Sequence, residues 1–223
     1  MNKEIELFLK EFNEVIRECE KFCFMSRGKE FQQEAIKKLT ILMQKATSLK
    51  EQLIKVKDEN SANTMLSLEN LIDAMINELE MWIALKEGNP NKAWDFLINA
   101  QSAVRTAAQA HSIGIDLNAE GYANKLHLLE KLLFPPQMFF SPGFVIEKAE
   151  CSICGKEYGE CEHIVGKAYM GMMCYRKITK IKDIREVSLV EEPANKHARI
   201  LQRTDDDGVT RDFMTWRRIN SDK

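Results

Sequence analysis

Phe134-Pro135-Pro136-Gln137-Met138-Phe139-Phe140-Ser141-Pro142-Gly143 is where the chain changes character, because three of its five prolines fall in these ten residues. Proline lacks an amide hydrogen and its ring clashes with the preceding turn, so no helix runs through this stretch. Before it, apolar residues recur every three or four positions. After it, they come in short runs bounded by turn residues. The chain therefore reads as an α+β protein: a helical bundle over residues 1–133, a proline-rich connector over 134–143 and a smaller β-rich domain over 144–223. Phe134, Phe139 and Phe140 should be withdrawn from water, which predicts a connector packed rigidly between the two parts.

Working upstream, Ile5, Phe8, Leu9, Phe12, Ile16, Cys19 and Cys23 share one helical face. Ser26-Arg27-Gly28 breaks the pattern, and Phe31, Ala35, Leu39, Leu42, Ala46, Leu49 and Leu53 resume it. Asp58 to Asn63 reads as a polar turn before a third helix through Met65, Leu68, Ile72, Leu79 and Trp82, which ends at Gly88. Asn89-Pro90 opens a fourth helix with Ala93, Trp94, Leu97, Ala100 and Ala107. A fifth, from about Ala119 to Leu133, carries Tyr122, Leu126, Leu129 and Leu132. Leu85, Gly88, Ala93, Leu97 and Ala100 resemble the turn and second helix of a tetratricopeptide repeat. No second copy follows, so the segment reads as a helical hairpin with a Gly-Asn-Pro turn.

The 223 residues are 44% apolar and 30% charged, with 32 Lys and Arg against 34 Asp and Glu, a net charge of -2. No overall field favours nucleic acid or a membrane surface. The start, Met1-Asn2-Lys3-Glu4-Ile5-Glu6, is acidic and amphipathic, unlike a secretion signal, and no run of residues is long and apolar enough for a membrane span. A soluble, cytoplasmic protein is expected. In that setting six cysteines point to metal rather than disulfides. Cys19 and Cys23, four apart on an apolar stripe, read as core.

Cys151-Ser152-Ile153-Cys154-Gly155-Lys156 has the sequence of a zinc knuckle, in which a tight turn brings two thiolates onto one ion. Gly155 tolerates the backbone conformation such turns need and leaves amides free to point at sulfur. Cys161 and His163 complete C-x2-C-x6-C-x-H, a Cys3His set for Zn2+ within thirteen residues. Cys174 is the competitor for the place of Cys161 or His163. Four protein ligands leave no position for water, so the site of this zinc-finger-like module is expected to be structural instead of catalytic. A catalytic site with one ligand absent, and Glu150, Glu157 or Glu162 as base, is the alternative.

Beyond the connector, Phe144-Val145-Ile146, Ile178 to Ile184, Val187 to Val190 and Ala198-Arg199-Ile200 read as strands, and Asp205-Asp206-Asp207-Gly208 as a hairpin turn. The run Glu186-Val187-Ser188-Leu189-Val190-Glu191-Glu192-Pro193-Ala194-Asn195-Lys196-His197-Ala198-Arg199-Ile200 resembles the E-V-S-L-V-x-x-P-A-N-x-x-A-x-I segment of tailed-phage prohead proteases. Together with the knuckle it is similar to a zinc-containing β-module of phage-type and bacterial proteins. The likeness covers only this C-terminal part. It implies a strand framework, and in those proteases the chemistry comes from a serine and histidine pair upstream of the strand. Ser141, Ser152 and Ser188 offer no convincing partner among His111, His127 and His197, so no catalytic residue is assigned.

Arg176, Lys177, Lys180, Lys182 and Arg185, with Arg211, Arg217 and Arg218 beside Tyr175, Phe213 and Trp216, make the C-terminal third locally basic. The leading expectation is a non-enzymatic zinc-binding interaction or adaptor protein with a protein partner, in a phage-related or antiphage assembly. A nucleic-acid-binding zinc protein is the alternative, and a hydrolase related to the prohead proteases the third reading. The oligomeric state is left open.

Overall fold

The computed structural model describes residues 3–219. Met1 and Asn2 of the N-terminal reading, and residues 220–223 of the β-rich part, lie outside the described residues. The class is α+β, with helices first and a small β-rich part after them.

Six α-helices form the first part: α1 (Lys3–Cys19), α2 (Lys29–Lys55), α3 (Glu59–Lys86), α4 (Pro90–Ala110), α5 (Ser112–Asp116) and α6 (Ala119–Leu133). α3 packs between α2 and α4 and is the centre of the bundle. Met65, Leu68, Ile72, Leu79 and Trp82 are buried along it, and Ala93, Ala100, Ala103 and Ala107 of α4 let that helix approach closely. The break at Ser26-Arg27-Gly28 is fastened by Gln32, whose side-chain amide donates to the Phe22 and Phe24 carbonyls at 2.9 and 3.0 Å. Cys19 and Cys23 are core residues, as their place on the stripe predicts. Burial first, and then nearby Glu18, push the Cys19 thiol up to about 11.

Two helical boundaries differ from the sequence expectation. The polar stretch Asp58–Asn63 is already the first turn of α3, because the Asp58 side chain accepts from the Ser61 amide at 3.1 Å and caps the helix. The short α5 was not anticipated. It starts where His111 Nδ1 accepts from the Ile113 amide at 3.1 Å, a cap that apolar spacing does not reveal.

The second part contains three two-stranded antiparallel sheets: β1 (Phe139–Cys151) with β4 (Arg176–Val190), β2 (Ala168–Tyr169) with β3 (Met172–Met173), and β5 (Gln202–Thr204) with β6 (Thr210–Asp212). Three strand expectations need correction. The connector is not separate from the sheet, since β1 begins at Phe139 and runs through Pro142, which sits opposite Val187 in a two-stranded ribbon where a missing amide is tolerated. Ile178–Ile184 and Val187–Val190 are one strand. Ala198-Arg199-Ile200 is not a strand of a sheet: its backbone meets β1 through an isolated bridge from Arg199 to Phe139 and through the amides of Phe140 and Ile200, which bond the Ala198 and Met138 carbonyls.

The β1–β4 register explains an odd feature of β4, in which Ile178, Ile181, Ile184 and Val187 are spaced by three instead of two. Register irregularities along the ribbon leave Thr179, Lys182 and Arg185 of β4 and Glu147 of β1 without a partner across the strands. Each such bulge absorbs one residue and returns the next apolar side chain to the same face. The cross-strand pairs Phe140–Leu189, Pro142–Val187, Phe144–Ile184, Ile146–Ile181 and Ala149–Ile178 therefore share one face. Ser141–Ser188, Gly143–Glu186, Val145–Asp183 and Lys148–Lys180 fall on the other.

This ribbon is fastened to the helices at both ends. At its base, the Trp94 ring meets Phe134 edge-on at 5.4 Å and Phe139 at 6.0 Å, while its Nε1 donates to the Lys196 carbonyl at 3.0 Å. Arg199 Nη2 donates to Asn91 Oδ1, and Asn91 Nδ2 donates to Asp212 Oδ2, each at 2.7 Å. At the far end, Asn63 in the first turn of α3 donates to the Ala168 carbonyl at 3.2 Å and accepts from the Gly171 amide at 2.8 Å. Trp94 and Asn63 lie at opposite ends of the α3–α4 hairpin. A 28-residue helix and a 13-residue strand are each roughly 40 Å long, so the ribbon extends along the hairpin from one anchor to the other.

Candidate metal centre

The ribbon ends where the knuckle begins. Cys151 closes β1, its amide donating to the Lys156 carbonyl at 2.8 Å, and the Gly155 amide donates back to the Cys151 carbonyl at 2.9 Å. That tight loop is possible because Gly155 has φ of +71°. Tyr158 then returns its amide to the Ala149 carbonyl, so the polypeptide folds back along β1 and delivers Cys161 and His163 to the same place. Residues two apart on a regular strand cannot share an ion easily, but no strand forms over 152–167. This irregular backbone lets Cys161 and His163 converge.

The donor atoms of Cys151, Cys154, Cys161 and His163 all lie within 4.8 Å of one another. Three sulfurs and an imidazole nitrogen at such separations make a cluster that could hold a metal ion. Its local electrostatics agree with that. The Cys154 amide pointing at the Cys151 sulfur, reinforced by the Ile153 amide and opposed by burial, brings the Cys151 thiol down to about 6. At Cys161 the His163 amide favours the thiolate, but burial and the neighbouring Cys154 and Cys151 raise its pKa overall. Thiols that compete for protons in this way are the groups a cation would relieve.

His163 supplies an independent sign. Its Nδ1 is shut off from water with no hydrogen-bond partner among the described residues, and its ring stands edge-on to Tyr169 at 4.7 Å. A buried nitrogen of this kind is costly unless something binds it. The Tyr169 hydroxyl accepts from the Ile164 amide at 2.9 Å, which keeps the phenol and the histidine in register.

Cys174 is also close. Its sulfur is 3.9 Å from that of Cys151, near the ~3.8 Å edge expected for two thiolates on one tetrahedral zinc. It is buried, and burial followed by Cys151 raises its pKa. Cys174 is thus a fifth donor beside Cys151, outside the group of four whose donor atoms all lie within 4.8 Å of one another. The Ser152 hydroxyl holds the two approaches together by accepting from the Tyr175 amide at 2.9 Å.

The knuckle is built onto the helical part through the β2–β3 turn. Met170 and Gly171 both take positive φ, 48° and 73°, the geometry of a two-residue hairpin turn that follows strand twist. Asn63 grips this turn on both sides, and a Cβ on Gly171 would come within 3.2 Å of Ile54 and Lys50. Asn63 lies in the stretch that the sequence presents as a polar turn. Nothing in its spacing could reveal a partner more than a hundred residues away.

The remaining candidates do not converge. The Ser152 hydroxyl is engaged with backbone groups, while Ser141 and Ser188 face each other across the ribbon. His111 bonds Asn60 at 3.2 Å, and His197 lies 3.5 Å from Asp95. Of the basic residues, Arg176 lies over the Tyr158 ring, Lys180 pairs with Glu147, and Arg211 pairs with Asp205 and Asp207 in the β5–β6 hairpin. Lys182 and Arg185 stand at bulges, with no acid paired to them among the described residues. No described helix is long and apolar enough to cross a membrane. No protein-family model, curated protein or solved structure matches the chain.

Proposed function

We propose that Cys151, Cys154, Cys161 and His163 hold one zinc ion with a structural role, and that the chain is a non-enzymatic interaction protein. The observation that carries this reading is the convergence of three thiols and an imidazole within 4.8 Å at the end of a ribbon that has little core of its own. A closed set of four ligands leaves no site for water or substrate on the metal, so the ion supplies folding energy. Cys151, Cys154, Cys161 and His163 then serve to lock residues 151–174 into one shape against Asn63.

On this reading the helical bundle and the zinc-locked β-rich part together make the surface that meets another protein. The resemblance of Glu186–Ile200 to the prohead-protease segment supplies the setting, a phage-related or antiphage assembly in which the strand framework serves without the protease site. Affinity capture from the native host, with metal content measured on the same sample, tests both parts. A stoichiometric protein partner and one zinc per chain support the reading, whereas turnover of a peptide or ester substrate by the zinc-loaded protein contradicts it.

Binding to nucleic acid is the second reading, supported by Lys177, Lys182 and Arg185 on the outer strand of the ribbon. Affinity for DNA or RNA that falls steeply with salt favours it, because phosphate contacts release counterions.

A further inference from the structure

We propose that the apolar face of the β1–β4 ribbon is a self-association surface, covered in solution by the same face of a second copy of this chain. The inference goes beyond the zinc reading and does not depend on it.

The bulges supply the first argument. Spacing of three along β4 would scatter isoleucines over both faces of a regular strand. Here every irregularity restores them to one side, and the charged residues fall on the other side, at the bulges or, for Arg176, at the knuckle end of the face. The result is an apolar stripe from Phe140–Leu189 to Ala149–Ile178 in which Ile184 is 64% and Val187 60% exposed, with Phe140, Phe144, Ile181 and Leu189 open as well. Single exposed apolar residues are ordinary, but a contiguous stripe along both strands is not.

Area and symmetry identify the occupant. Open side chains of this size present on the order of 600 Å² per copy, so two faces together bury about 1,200 Å², within the range of a specific interface. A two-fold contact uses the same patch on both copies, so one apolar stripe can cover the other. A two-fold axis along the ribbon places β1 of one copy over β4 of the other. Lys182 and Arg185 of the two copies then lie on opposite edges of the pair instead of facing each other, with Glu147 of the other copy nearer to them. Two ribbons stacked in this way give a four-stranded, two-layered sheet, and each supplies the apolar cover that an isolated hairpin lacks. A nucleic acid would leave this apolar stripe exposed.

Sedimentation velocity on the full zinc-loaded chain, from low to high micromolar concentration, tests the proposal. The expected mass is twice the 25.7 kDa of one chain. Ile184→Lys and Val187→Glu, which place charge in the middle of the face, should shift the equilibrium to monomer by at least tenfold in dissociation constant. Ser188→Lys, on the opposite face, should leave the dimer in place. Far-UV circular dichroism and zinc content report that each variant is folded. As a readout that needs no variant, ribbon amides should exchange more slowly as protein concentration rises. A wild-type chain that remains monomeric throughout the range, or a dimer that survives both charge substitutions, overturns the proposal.

Discussion

The helical bundle and the β1–β4 ribbon are of similar length and are held in place by different means. α3 is surrounded by neighbours and buries apolar residues on several sides, so its helicity follows from packing. β4 has almost no buried residue along its fifteen positions. Its shape depends on the partner strand, on Trp94 at one end and on the knuckle clamped by Asn63 at the other. A region with its own core tolerates the loss of any single contact better than a region suspended between two anchors.

The largest expected difference comes from metal removal. Structural zinc binding is worth on the order of 10 kcal/mol, and the knuckle has no core to replace it. Chelation, or Cys154→Ser, should abolish hydrogen-exchange protection over residues 150–175, while the amides of α3 stay protected and the far-UV helical signal persists. Equal loss of protection in both regions would erase the distinction drawn here.

Trp94 comes next, because it belongs to both regions. Trp94→Ala removes a buried indole that packs on Phe134 and Phe139, and should cost about 3–5 kcal/mol in chemical denaturation. The ribbon base should open first. Asn63→Ala leaves the Gly171 amide and the Ala168 carbonyl without partners and should cost about 1–3 kcal/mol, seen as faster exchange in the β2–β3 turn with the zinc still bound. Asp58→Ala removes only a helix cap and should cost about 1 kcal/mol, read as a lower thermal midpoint with the metal site unchanged.

The smallest effect is a pH dependence at the ribbon base. Burial opposes the Asp212 carboxylate, but hydrogen bonds from Asn91, Thr215 and the Met214 amide outweigh it, so its folded pKa lies below the ordinary 3.8. A depressed carboxylate pKa contributes stability that is complete above 3.8 and is lost as pH falls through the lower folded value. Asp212→Asn should flatten that acid limb, in a comparison of denaturation midpoints at pH 3 and 5, without altering the midpoint of the helices at neutral pH.

The same contrast governs what could be read from the amino acids. Helices α1 to α4 and α6 are visible in the sequence because their apolar residues mark a buried face. β4 was read as two strands, since a three-residue spacing has no meaning for a regular strand until bulges are allowed. The four donors of the metal cluster were readable because ligand spacing is local, and Cys174 was readable as their competitor for the same reason. Asn63, Trp94 and the Asn91–Asp212 contact were not, because each joins residues that only the tertiary fold brings together.

The account rests on a closed metal site at the knuckle, and X-ray absorption on the metal-loaded full-length chain, with metal stoichiometry from the same sample, tests it most directly. It predicts one zinc per chain bound by three sulfurs and one nitrogen, with that signature retained in Cys174→Ser. A chain that binds no zinc while Cys151 to Cys174 stays ordered, or a zinc with a bound water in its fourth position, contradicts it.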